Sequence, residues 1–188
     1  MQVTFSGSPT LDSIITVQQL KDFLRVDHTA EDDYITALRQ AAISWVEEYC
    51  NIKLGDYTCT GYLDYFSNST FPVGPVNTIT AVGYTTTTAG AYTDLPADNY
   101  YYDTNSEPGR IVWNSPPALF SYALARVKIT FTAGYAAAAV PEPITQAMRM
   151  LVGHWYEHRQ SVHMGMIPRT VPLGTESLLS PYRFIQIV

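Results

Sequence analysis

The sequence predicts an α+β fold: N-terminal and C-terminal helices form a small helical core, with an inserted antiparallel β domain and an extended C-terminal tail. Three observations carry this. Apolar residues recur at helical spacing before residue 56 and again after residue 140. Between them, short runs rich in Tyr, Thr, Val and Ile alternate with period two and are separated by turn residues. The last stretch is apolar but too interrupted by proline for a long helix. The resulting parts are 1–56 (N-terminal helices), 57–135 (β region), 136–165 (C-terminal helix packing on the N-terminal ones) and 166–188 (docking tail).

In order along the chain, Thr16 is placed to cap a short helix over VQQLKDFLRV, with Val17, Leu20, Phe23 and Leu24 on one face. A longer helix follows in HTAEDDYITALRQAAISWVEEYCNIKL. Thr29 and Asp32 have capping-pair spacing, and Glu31, Asp32 and Asp33 occupy the first turn, where the helix dipole favours acids. Ile35, Leu38, Ala42, Trp45 and Tyr49 form its packing stripe, and Gly55 ends the region. Strands are expected in YTCTGYLDYF, VNTITAVGY, NYYYD, RIVW and RVKITFTAGY, five or six in all. Asn68, Pro72 to Pro75, Ala89–Gly90, Pro108–Gly109 and Pro116–Pro117 mark the turns. Thr85 to Ala91 reads as an uncharged hairpin tip.

Helix returns in VPEPITQAMRMLVGHWYEHRQSV. Pro141 and Pro143 suit its entry, where a missing N–H costs little, and Ile144, Met148, Leu151 and Trp155 form its packing stripe. Gly165 and Pro168 close it. The tail MIPRTVPLGTESLLSPYRFIQIV then carries Leu173, Leu178, Leu179, Tyr182, Phe184, Ile185, Ile187 and Val188. Leaving each such group in water costs up to about 3 kcal/mol, so the tail must dock, and a neighbouring chain is the favoured surface over its own domain.

Composition narrows the function classes. Asp, Glu, Lys and Arg make up 15% of the 188 residues, against about 25% in a typical soluble domain. The 14 tyrosines outnumber the 11 Lys plus Arg, and the net charge is −6. That balance argues against a free nucleic-acid binder and, with 46% hydrophobics, against disorder. A charge-poor, tyrosine-rich surface suits protein interfaces; a tyrosine-loving β domain is the plainer reading. Residues 1–110 hold 14 acids and 5 Lys/Arg, and residues 111–188 hold 3 and 6, so the negative charge lies in the first part. Cys50 and Cys59 fall in different elements and read as free thiols. No run reaches the ~18 apolar residues of a membrane span. The start MQVTFSGSPT has neither a basic nor an apolar segment of signal-peptide type.

The sharpest catalytic hint is His154-Trp-Tyr-Glu157-His158, an H-x-x-E-H pattern. On a helix the two histidines share a face and would hold Zn²⁺, with Glu157 as base. Only Glu176, or His163 if the helix end bends back, is left as a further ligand, and the scaffold is small. A polar or interfacial helix face is the simpler account. No nucleophile elbow, phosphate loop, dinucleotide fingerprint or cysteine cluster is present. Tyr100, Tyr101 and Tyr102 with Trp113 suggest a sugar-stacking platform; tyrosines alternating over both faces of one strand are the ordinary alternative.

Three segments, VKITFTAGY (127–135), VPEPITQAMRMLVGHWYEHR (140–159) and VPLGTESLLSPYR (171–183), follow a helical pair and a strand in PVGPVNTITAV. In that order and spacing they resemble the head–tail connector (adaptor, head completion) proteins of tailed bacteriophages, over most of the chain. Members often have Asn where this chain has His158, which removes a zinc ligand. The resemblance implies a non-enzymatic structural virion protein without cofactor, located in the neck at the head–tail interface and assembled in the host cytoplasm.

It further implies a homo-oligomeric ring, commonly twelve-fold, under the portal protein, with a stopper or tail completion protein below. Double-stranded DNA would pass through the lumen without sequence-specific binding, and no membrane is involved. Portal docking carries over onto Leu173, Gly174, Leu178, Leu179, Pro181, Tyr182 and Phe184, with residues 166–188 ordered only by the portal. A DNA conduit should not grip phosphate, so part of the acidic first half, especially Glu31, Asp32 and Asp33 or Glu47 and Glu48, is expected to face the lumen. The competing classes are a small zinc-dependent hydrolase using His154, Glu157 and His158, and a β-type glycan-binding module.

Overall fold

The computed structural model describes residues 1–7, 14–86, 91–119, 124–136, 139–159 and 173–184. The chain divides into two compact units. One comprises Met1–Pro9, Asp56–Tyr135 and Gln186–Val188; the other comprises Thr10–Gly55 and Ala136–Ile185.

The second unit is helical. Helix α1 (Val17–Leu24) begins at Thr16, whose hydroxyl accepts the Gln19 N–H at 3.1 Å while the Gln19 side chain accepts the Thr16 N–H at 2.9 Å. This reciprocal pair satisfies two donors that the first turn leaves without helical partners. Helix α2 spans Asp32–Cys50, shorter at both ends than the sequence suggests. The expected Thr29–Asp32 side-chain cap is absent: Glu31 is the cap residue, and Thr29 contributes only its carbonyl, to the Asp32 N–H at 3.2 Å. At the far end Asn51 takes the left-handed conformation (φ 55°), where asparagine is tolerated, and stops the helix before Ile52 and Leu54.

The buried face of α2 is Ile35, Arg39, Ala42, Ile43, Val46, Glu47 and Cys50. It is rotated from the expected stripe, leaving Leu38, Trp45 and Tyr49 half-buried. The rotation is invisible to a reading that sets charged residues outside. Arg39 lays its stem along the core and donates to the Ile15 carbonyl at 3.3 Å.

Helix α3 (Glu142–Glu157) enters through Pro141 and packs against α1 and α2. Ile144, Ala147, Met148, Leu151 and Val152 are buried; Trp155 is half-buried. Helix α4 (Leu173–Leu179) continues into a 3₁₀ turn at Ser180–Tyr182 and packs on α3.

Among its described residues the first unit is built of two antiparallel sheets and one 3₁₀ turn at Ala97–Asn99. A five-stranded antiparallel sheet has the order β1 (Gln2–Ser6), β2 (Tyr57–Leu63), β8 (Val127–Ala133), β4 (Val76–Tyr84), β5 (Thr93–Asp94). A three-stranded sheet has the order β3 (Ser69–Thr70), β7 (Arg110–Trp113), β6 (Tyr100–Asp103). β8 shows the clean alternation of a strand with one face in the core: Val127, Ile129, Phe131 and Ala133 are buried and the residues between them are not. Phe71 after β3 meets Phe131 at 4.7 Å between ring centroids, and Ile111 of β7 joins the same cluster.

Strand β1 departs from the sequence reading, which places residues 1–56 with the helices. Its five residues, QVTFS, alternate polar and apolar as a strand should, but so short a run reads as part of a polar start; pairing with β2 supplies the order. The expected hairpin tip at Thr85 to Ala91 lies largely outside the described residues.

Candidate functional site

The residues expected to dock on a partner lie in a segment that is itself folded. Leu179 is fully buried in the helical unit, and its carbonyl lies 3.9 Å from the Cys50 sulfur. Beyond the 3₁₀ turn the chain runs back along the end of α2. The Phe184 N–H donates to the Cys50 carbonyl at 2.8 Å, and the Asn51 side chain donates to the Phe184 carbonyl at 2.9 Å. The first of these bonds uses a carbonyl that the end of α2 leaves without a helical partner. The Arg183 guanidinium stands over the Tyr49 ring at 5.0 Å, and Tyr49 stacks on Trp45 at 4.9 Å with the rings 9° from parallel. The half-buried aromatics of α2 are thus the floor on which the returning chain rests.

Two expectations change here. Residues 173–182 are helical rather than extended, and residues 173–184 dock on their own helices. The apolar count of this segment demanded a surface, and α2 and α3 provide one within the chain. Gly174 allows the close approach, since a Cβ there would sit 3.2 Å from the Met150 methyl. Gly174 and Pro181 are exposed, and Leu178, Tyr182 and Phe184 are half-buried, so the outer side of the segment stays available. Ile185, Ile187 and Val188 lie outside the described residues.

The five candidate acids separate. Glu47 is buried: its carboxylate pairs with Lys53 at 2.8 Å and accepts the Leu54 N–H at 2.8 Å, fixing the chain that leaves α2. Asp32 pairs with the buried Lys21 at 2.8 Å. Glu31 receives the Tyr156 hydroxyl on one oxygen and Arg159 on the other at 2.6 Å, and Arg159 also lies over the Tyr34 and Tyr156 rings. The Tyr156 hydrogen bond, then the Arg159 one, hold the Glu31 carboxyl below its ordinary value, while the same contact raises the Tyr156 phenol. Only Asp33 and Glu48 of the five are exposed. The Glu31–Arg159 contact joins residues 128 positions apart, and no local spacing announces it.

The metal reading finds little geometry. The His154 and His158 rings lie 4.7 Å apart, but His158 has left the helix, and its Nδ1 is 3.0 Å from the His154 carbonyl. Among the described residues no three His, Cys, Asp or Glu side chains are grouped to hold an ion. His163 lies outside them. Cys50 and Cys59 are both buried and neither is in a disulfide, and burial pushes the Cys50 thiol up to about 11, so it stays protonated near neutral pH.

The tyrosine platform is divided between two faces. Trp113 lies opposite Tyr100, packs edge-on to Phe66 and donates its indole N–H to Ser67; Tyr101 projects the other way beside Val112, 64% exposed. The rings therefore do not form one flat surface.

Comparisons with known proteins bear on the whole chain. Residues 13–182 match the family model described as "Head completion protein". No curated protein gives a match. Three solved structures share the fold at 24% identity, each alignment covering 100% of this chain and 98% of the other. They come from the neck of an empty GTA particle computed with C6 symmetry (TM-score 0.77), the virion of a native gene transfer agent particle (0.78) and the neck of a native GTA particle computed with C12 symmetry (0.75). Spanning nearly its full length, the family match establishes that this chain belongs to the head completion protein family.

Proposed function

We propose that the chain is a structural connector subunit in the neck of a tailed phage or phage-like particle. Copies form a ring, commonly twelve-fold, between the portal and the stopper or tail, and double-stranded DNA passes through its lumen. The observation that carries this is the family match over residues 13–182, supported by a fold shared end to end with proteins of particle necks. The charge-poor, aromatic-rich composition supports lateral packing of subunits.

The helical unit presents the outer side of α4 to the portal as a folded surface. Leu178, Pro181, Tyr182 and Phe184 contribute its apolar part. Asp33 and Glu48 are the acids of the expected set free to repel DNA phosphate along the lumen; Glu31, Asp32 and Glu47 serve the helical unit's own stability.

Particles assembled without this chain test the reading. Imaging should find DNA-packaged heads without attached tails, and supplying the chain should restore joining. Normal tailed particles in its absence would overturn the proposal. Metal analysis of purified protein is the parallel check on the hydrolase alternative: stoichiometric zinc that is lost in His154→Ala would favour the enzyme.

A further inference from the structure

Three consecutive residues just before β8 each go against what their side chains favour. Leu124 is 83% exposed, Ala125 has a left-handed backbone (φ 54°), and Arg126 is only 5% exposed. Among the described residues the Arg126 guanidinium has neither a hydrogen bond nor an ion pair. Buried charges are ordinarily paired, because leaving water uncompensated is costly. Asp64 follows the Leu63–Val127 pair and so comes nearest to Arg126 in register, but it spends its Oδ1 on the Ala125 N–H. The other described non-glycine residues with positive φ, Arg25 and Asn51, stop helices, which accounts for their conformation; Ala125 stops none.

This strained turn is held in place from three sides. Asp64 accepts the Ala125 N–H at 2.8 Å, the Tyr92 hydroxyl donates to the Ala125 carbonyl at 2.6 Å, and the Thr85 N–H donates to the Arg126 carbonyl at 2.9 Å. Strain that the surroundings over-determine gathers at functional sites. Here it sends a leucine into water and an arginine inward. Tyr65, next to Asp64, is 65% exposed and widens the apolar patch. A tyrosine and a leucine around a desolvated arginine make a protein-binding centre whose missing partner is a carboxylate. The same unit carries such a group: Glu107 is exposed and has no ion pair among the described residues. It precedes Gly109, where a Cβ would sit 3.3 Å from Val76, and Val76 lies opposite Ala133 at the far end of β8. Arg126 is seven residues back along the strand, about 23 Å. Glu107 therefore does not serve the Arg126 of its own chain.

We propose that Tyr65, Leu124 and Arg126 of one copy of this chain receive the Glu107 turn of a second copy, with the carboxylate pairing with the guanidinium. The two patches differ and lie at opposite ends of β8, so the contact is head-to-tail and repeats from copy to copy, as a ring requires. It rests on the connector reading only for its place in a ring. The arginine is buried in advance, so the carboxylate meets a charge already stripped of water, and Leu124 and Tyr65 lose their exposure in the same step.

Sedimentation velocity of the full chain over rising concentration, together with thermal melting of dilute protein, tests this. The wild type should associate, and Leu124→Asp, Arg126→Met and Glu107→Gln should each need about tenfold more protein to associate to the same degree. Arg126→Met combined with Glu107→Gln should be no weaker than either alone, because one change already breaks the pair. Arg126→Met keeps the apolar stem and removes a buried unpaired charge, so dilute protein should melt no lower than wild type. A lower melting temperature with unchanged association would make Arg126 a structural residue and overturn the proposal. Association unchanged in Leu124→Asp overturns it too, as does a wild type that stays monomeric throughout. Particles built with Leu124→Asp that carry tails at wild-type yield overturn the contact and leave the connector reading intact. Association through this pair by a chain whose loss leaves tails attached supports the contact and counts against the connector reading alone.

Discussion

Leu179→Ala measures whether the C-terminal segment is part of the helical core. Leu179 is fully buried, and residues 173–184 are held by the Phe184–Cys50 and Asn51–Phe184 hydrogen bonds and by Arg183 over Tyr49. Truncating a buried leucine removes transfer free energy and leaves a cavity, together about 2–5 kcal/mol. A terminal segment can escape part of this by opening locally, so the lower half of that range is expected. For a chain of this size each kcal/mol moves the melting temperature roughly 2–4 °C, which gives a decrease of about 4–14 °C. Urea unfolding monitored by circular dichroism reads the same loss as a lower midpoint, and the half-buried Leu178→Ala should lose less. An Leu179→Ala variant within about 0.5 kcal/mol of wild type, the usual range for surface changes, would refute the claim that this segment is core.

Two further outcomes follow from the acids. Glu47→Gln should cost about 1.5–3 kcal/mol in urea unfolding, because it breaks charge-assisted bonds to Lys53 and the Leu54 N–H, whereas the exposed Glu48→Gln should change stability by less than about 0.5 kcal/mol; equal effects would contradict the placement. Glu31 contributes a pH dependence: its folded-state value is depressed, so its stabilisation is complete above the ordinary value of 4.5 and is lost as the pH falls through the lower folded value. Glu31→Gln should flatten the acid limb of a stability-versus-pH curve, and an unchanged acid limb would refute the link.

The elements with strong local patterns were legible in the sequence. Thr16 marks the start of α1, the alternation of 127–133 marks β8, and Pro141 and Pro143 mark the entry to α3. Each depends on neighbours within a turn or a strand. Helix α4 was hidden because Pro172 and Pro181 bracket only seven helical residues, too few to form alone without a surface to pack on. Among the candidate site residues, the sequence supplied the identities but not their states. Glu47 and Glu48 are adjacent and chemically alike, yet one is buried and paired while the other is in water.

By itself the sequence determined the α+β order of elements, the charge-poor and tyrosine-rich character, and the motifs that resemble connector proteins. Periodicity, turn chemistry and composition are local or additive properties, so they survive without a fold. Only the tertiary structure decided which face of α2 is core, that residues 173–184 rest on their own helices, and that Glu31 is tied to Arg159 and Tyr156. Each of these depends on groups brought together from distant positions, where burial and pairing, rather than residue type, set whether a side chain is a surface or a strut.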